Sequence, residues 1–137
     1  MNQVLKFGGS SVSNAQNIRK VLDIVAQRKI RGKAIVIVSA LGGTTDALLN
    51  CGTQAASGSE EFKTTLAGIE NRHFEAVKEL LPIQHQSATK KKKKKHCNDL
   101  EDICNGVFLL SEISTRTRDR IVSYGELLSS QIIAAAF

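Results

Sequence analysis

At 137 residues the chain has the length of one small domain, and a 42% hydrophobic content is enough to bury a core. The formal charge of +6 comes from 19 basic and 13 acidic residues, but six of the basic ones form a single run, Lys90 to Lys95, and setting those six aside leaves thirteen against thirteen. A neutral remainder with only 4% aromatic residues argues against a nucleic-acid binder, which needs a basic face or stacking platforms. No stretch approaches the roughly 20 apolar residues of a membrane span, and Met1 to Lys6 lack the features of a secretory signal, so a cytoplasmic protein without a membrane partner is expected. Cys51, Cys97 and Cys104 are widely spaced and read as free thiols of a reducing compartment.

In chain order, Val4 to Phe7 is a short apolar-rich run stopped by Gly8-Gly9, which suits a strand entering a tight turn. Ser13 with Gln16 three residues on predicts a capping box, and Ile18, Val21, Leu22 and Val25 recur at helical spacing until Arg31-Gly32. Ala34 to Val38 is a continuous, mostly β-branched run of the kind buried on both faces of a parallel sheet, and it breaks at Ser39 into Gly42-Gly43-Thr44-Thr45 before a second helix. From Glu60 to Leu81 the positions Phe62, Leu66, Ile69, Val77 and Leu80 predict an amphipathic helix ended by Pro82.

Residues 83–96 read as a polar, Lys-rich linker, solvated and self-repelling, because blocks of like charge are usually disordered. Leu100, Ile103, Val107 and Leu110 mark a further helix, and Ser114 to Arg120 reads as a charged turn. Ser123 and Glu126 form a second capping box, after which Leu127, Leu128, Ile132 and Ala135 run helically to Phe137. The result is an α/β class with two convincing strands. A two-stranded parallel sheet is not a stable core, so the domain reads as unfinished.

Three segments concentrate small, polar or charged residues: Lys6 to Ser11, Ser39 to Asp46, and Ser123 to Glu126. The first two lie where the C-terminal end of a strand meets a helix, the crevice in which α/β sheets bind ligands. There glycines let backbone N–H groups approach phosphate oxygens, and helix N-termini favour anions. Neither a Walker A loop nor a G-x-G-x-x-G fingerprint occurs. Lys6 instead precedes its glycines and can put a positive charge beside a transferring phosphoryl group; the bland alternative is a solvated lysine before an ordinary glycine turn. Ser39 and Thr45 can equally end a strand and cap a helix, and Glu126 can serve only its capping box.

The run Lys6-Phe7-Gly8-Gly9-Ser10-Ser11-Val12 resembles the opening KFGG[ST]S-V signature of aspartokinases, a branch of the amino-acid kinase family. Val36 to Asp46 is similar to that family's second strand and its serine- and threonine-bearing loop, and Ser123 to Ser130 to its GE motif. The resemblance implies an amino-acid kinase α/β sandwich with a mainly parallel sheet, of which residues 1–137 are the N-terminal lobe, incomplete at the C-terminus. It implies ATP with Mg²⁺, L-aspartate as acceptor, and 4-phospho-L-aspartate as product, the first step toward lysine, threonine and methionine. Lys6 would stabilise the transferring group, Gly8, Gly9 and Ser10 would bind the nucleotide phosphates, Ser39 and Thr45 would hold aspartate, and Glu126 would pair with its α-ammonium group. A homo-oligomer is implied for the full-length enzyme, with or without a fused homoserine dehydrogenase.

The segment with the catalytic aspartate and adenine pocket of the family is not matched in these residues, so activity of this stretch alone is not expected. The alternatives are an incomplete binding or assembly fragment, or a family member acting on a glutamate-type acid. His73, His85 and His96 have no metal-ligand spacing and read as surface or helix-face residues; no metal site is expected.

Overall fold

A computed structural model describes residues 2–29 and 32–137. Two short strands, β1 (Gln3–Phe7) and β2 (Ala34–Val38), pair in parallel with Leu5 opposite Val36 and Phe7 opposite Val38. Between them runs α1 (Ala15–Lys29), the crossover that a parallel pair requires. Four helices follow: α2 (Thr44–Ala56), α3 (Glu61–Leu80), α4 (Ile83–Leu110) and α5 (Thr115–Ala136). The α/β class expected from the sequence is present in this helix-rich form.

Two apolar clusters hold the elements together. One lies among α2 to α5 and includes Leu48, Phe62, Leu100, Cys104, Ile121 and Leu128. The other joins α1, the end of α3 and the end of α5 to one face of the sheet, through Ile18, Val21, Leu41, Val77 and Ile132 against Leu5, Phe7, Val36 and Val38. The opposite face carries Val4, Lys6, Ile35 and Ile37, and Val4 and Ile35 are more than 60% exposed. The expected burial of β2 on both faces is therefore corrected: among the described residues, only one face of the sheet is covered.

Three local expectations are also corrected. Asn14 caps α1 in place of Ser13: its Oδ1 accepts from the Asn17 N–H at 2.9 Å, while the Ser13 hydroxyl donates to the Ser10 carbonyl at 3.0 Å. Arg31, expected to close this helix, lies outside the described residues. α5 begins at Thr115, with Ser114 as N-cap accepting from the Thr117 N–H at 3.0 Å, so the predicted charged turn is its first two turns. Ser123 is mid-helix, its hydroxyl donating to the Arg120 carbonyl at 2.6 Å, and the second capping box does not exist.

A further correction concerns residues 83–96, which form the first half of the 28-residue α4. Lysine is a good helix former, and local like-charge repulsion costs only tenths of a kcal/mol per pair, on the order of 0.2–0.5. Packing outweighs it. Thr89, Lys93, Cys97, Leu100, Cys104 and Val107 are all buried and recur at steps of three and four, so one lysine of the run falls on the inward stripe. Lys94 pairs with Glu70 of α3 at 2.8 Å, and Lys91, Lys92 and Lys95 are exposed.

Candidate active site

The glycine segments behave as turns at the C-terminal end of the sheet. After β1, the Gly8 carbonyl accepts from the N–H groups of Ser11 at 3.1 Å and Val12 at 3.3 Å, closing the loop that leads into α1. Nothing lies within 4 Å of where a Gly8 side chain would begin, so its backbone is open to an approaching ligand. After β2, Gly43 takes φ 79°, a left-handed conformation that a side chain disfavours, and it is the N-cap of α2 without any side-chain cap. Thr44 is buried, whereas Thr45 and Asp46 face solvent on the first turn.

The two loops and α5 meet. The Ser39 N–H donates to the Phe7 carbonyl at 3.1 Å, which extends the strand pairing to the loop entrance. A Cβ on Gly42 would stand 2.9 Å from the Ser13 Cβ, so only glycine lets the second loop touch the first. Gly125 is a similar contact from α5: a Cβ there would meet the Ala40 Cβ at 2.8 Å and Leu48 Cδ1 at 3.3 Å. One turn later the Ser129 hydroxyl donates to the Ser39 carbonyl at 2.6 Å. α5 is thus docked on the second loop by the residue just before Glu126 and by the residue three beyond it.

Of the residues singled out in the sequence, Ser39 is half-buried within this junction and Gly9 lies beside it, 3.8 Å from the Ala40 carbonyl by its virtual Cβ. Lys6, Gly8, Ser10, Thr45 and Glu126 are exposed, and Lys6 stands on the uncovered sheet face. Among the described residues, the side chains of Lys6, Ser10, Thr45 and Glu126 form no hydrogen bond or ion pair with one another. A cavity of about 320 Å³ adjoins the first loop, lined by Phe7, Ser10, Ser11, Asn17, Lys20, Val21 and Ile24. Sequence reading missed the residues that assemble the junction: Ser13, Asn17, Arg72, Gly125 and Ser129. Gly125 and Ser129 did lie within the Ser123–Ser130 motif, and Ser13 was read only as a cap, but nothing in the residues marked any of the five as a contact between the loops.

Other reactive groups are excluded by burial. The thiols of Cys51, Cys97 and Cys104 are free and buried, and burial pushes them up to about 12, 11 and 11, so they remain protonated and inert. His73 is fully buried in α3, so of the expected surface or helix-face positions the surface one is corrected; its Nδ1 lies 2.7 Å from the Ile69 carbonyl and Nε2 has no partner among the described residues. Burial lowers its pKa to about 4, aided by the nearby Lys93 and Arg72 charges and opposed by the backbone hydrogen bond. Lys93, also fully buried, donates to the Leu128 carbonyl, and burial lowers it to about 8. Among the described residues no group of three His, Cys, Asp or Glu side chains converges to hold a metal ion, and no helix is long and apolar enough to cross a membrane.

Two glycine loops at the C-terminal end of parallel strands, each leading into a helix, give this α/β chain the crevice in which such sheets place their ligands. Residues 1–137 match the Amino acid kinase family, and the chain belongs to it. Aspartokinase 1, chloroplastic, of Arabidopsis thaliana is 35% identical over 139 residues, an alignment covering 96% of this chain and 22% of that protein. Bifunctional aspartokinase/homoserine dehydrogenase 1, chloroplastic, of the same plant is 27% identical, over 96% of this chain and 14% of its own length. E. coli aspartokinase III, solved in complex with aspartate and ADP, superposes with a TM-score of 0.83 at 25% identity, over 99% of this chain and 28% of that one. The chain spans between 14% and 28% of the length of these relatives. The family resemblance carried by the three motifs is borne out.

Proposed function

We propose that this chain supplies the phosphate loop and the acceptor loop of an aspartate kinase, which moves the γ-phosphate of Mg²⁺-ATP to the side-chain carboxylate of L-aspartate. The observation that carries the reading is the convergence of the three motif segments: Gly42 against Ser13, Gly125 against Ala40, and Ser129 on Ser39. The crystal structure of the E. coli relative with aspartate and ADP supports it from outside.

In this reading the open backbone of Gly8, with Gly9 and Ser10, binds the phosphates, and Ser39 and Thr45 hydrogen-bond aspartate. Glu126 pairs with the α-ammonium group. A carboxylate attracts that group and repels the α-carboxylate, so it orients the substrate end for end. The acceptor carboxylate is already ionised at pH 7 and needs no general base. Its oxygen forms a bond to the γ-phosphorus while the bond to the bridging oxygen of ADP breaks. Lys6 offsets the charge that gathers on the phosphoryl oxygens. Magnesium enters with the nucleotide as part of the substrate. The buried, protonated thiols are in keeping with a cytoplasmic location.

The test is made on the protein expressed from its complete reading frame, with acyl phosphate trapped as hydroxamate. Lys6→Ala should lower kcat about a hundredfold with little change in KM, since such a donor is worth roughly 3 kcal/mol. Glu126→Gln should raise KM for aspartate at nearly unchanged stability. Glutamate should be a poor acceptor. Lack of hydroxamate from the unsubstituted protein with ATP and aspartate would overturn the reading.

A further inference from the structure

The two loops are joined by more than the Gly42–Ser13 contact. Arg72, in the middle of α3, donates from Nη1 to the Gly42 carbonyl and from Nη2 to the Ser13 carbonyl at 2.6 Å. Its guanidinium is a planar fork with fixed spacing, and here its two prongs hold carbonyls from two different loops. Ser13 passes the constraint on: its hydroxyl donates to the Ser10 carbonyl at 3.0 Å, and Asn17 Nδ2 donates to the Ser13 hydroxyl at 2.9 Å and to the same Ser10 carbonyl at 3.1 Å. From Gly42 the constraint reaches the other loop directly, because Gly43 is the N-cap of α2 and Arg72 Nη1 lies 3.6 Å from its virtual Cβ. Arg72 itself is on the exposed side of α3, while the helix is anchored on its other side by Phe62, Ile69, His73, Ala76 and Val77.

We infer that Arg72 is a positioning residue: it sets the separation between the loop assigned to the nucleotide phosphates and the loop assigned to the acceptor. This rests on the aspartate kinase reading above. Each loop keeps its own turn bonds without Arg72, so each substrate should still bind. What would suffer is the alignment of carboxylate oxygen and phosphorus, for which a misplacement of about 1 Å can cost on the order of a hundredfold in rate.

The experiment compares Arg72→Met with the unsubstituted full-length protein, and adds Arg72→Gln as a second variant in case Met fails to fold. Three quantities are measured: kcat, the separate dissociation constants for ADP and for aspartate, and amide hydrogen exchange across residues 8–13 and 39–45. The expected result is a fall in kcat of roughly ten- to a hundredfold, binary affinities within about threefold, and faster exchange in both loops together. A variant that merely unsettled the fold would instead weaken both binary affinities and exchange throughout the core, and that outcome overturns the inference. So does a kcat within about twofold of the parent, or unchanged exchange in the two loops. If the unsubstituted protein lacks turnover, the kinase reading fails by itself, and the exchange comparison still decides whether Arg72 couples the loops.

Discussion

Gly125→Ala tests how α5 is seated on the second loop. The new methyl would begin 2.8 Å from the Ala40 Cβ, whereas carbon atoms rest at about 3.5–4.0 Å, so helix and loop must part by roughly an ångström. Ala40 is 4% exposed and its methyl cannot swing aside; Leu48 Cδ1, at 3.3 Å, ends a flexible side chain and can. Overpacking of this kind costs about 1–3 kcal/mol, and replacing a helical glycine by alanine returns about 1 kcal/mol. The net loss is therefore about 0–2 kcal/mol, a drop of no more than roughly 8 °C in Tm. The effect on the site should be larger than the effect on the fold. Glu126 follows Gly125 directly, and Ser129 holds the Ser39 carbonyl, so a shift at residue 125 moves both groups that the proposal assigns to aspartate. The assay is steady-state kinetics beside thermal unfolding: KM for aspartate should rise about tenfold with KM for ATP nearly unchanged. Adding Ala40→Gly removes the opposing methyl and should restore most of the loss. A Gly125→Ala protein with the parent KM for aspartate, or one that Ala40→Gly does not rescue, would refute this account of the junction.

Two further predictions concern the buried charges. Lys93→Met should stabilise the protein by about 1–3 kcal/mol, because an unpaired ammonium with one carbonyl partner is replaced by an apolar chain of similar length. Since burial holds Lys93 near 8 against an ordinary 10.5, the unfolded chain binds more protons between those values. Lys93 therefore contributes a gain in stability between pH 8 and 10.5 that the variant lacks. Because the buried thiols act alike in both proteins and lower stability above about pH 9, the check is the stability difference between variant and parent, which should shrink across that range. His73 follows the same sign at lower pH. Its folded pKa of about 4 lies below its ordinary 6.5, so the stability it confers is complete above 6.5 and is lost as pH falls toward 4. The loss amounts to about 3 kcal/mol, and denaturant titrations of the parent against His73→Phe should isolate it. Equal pH dependence in the two proteins would show that His73 does not titrate as its burial demands.

Much of the frame is legible in the residues alone. Val4 to Phe7 and Ala34 to Val38 are short apolar runs ended by glycine or serine, and local preference suffices to make them strands. Pro82 ends α3 because it lacks an N–H and restricts the residue before it. The three motifs gave the family, which the match over residues 1–137 then established. Each of these signals lies within a few residues of the feature it specifies.

The tertiary structure decided what depends on partners distant in sequence. Six lysines in a row cannot announce that the fourth is buried; that follows from α5 placing the Leu128 carbonyl 35 residues further on. Ser13 and Asn14 are both good caps, and the choice between them turns on Ser10 and on Arg72, which engage Ser13 instead. Arg72 reaches carbonyls 30 and 59 residues away, and no local pattern marks it. Secondary structure answers to nearby backbone preferences, whereas a clamp, a buried cation or a glycine contact between elements exists only once packing has brought the remote atoms together.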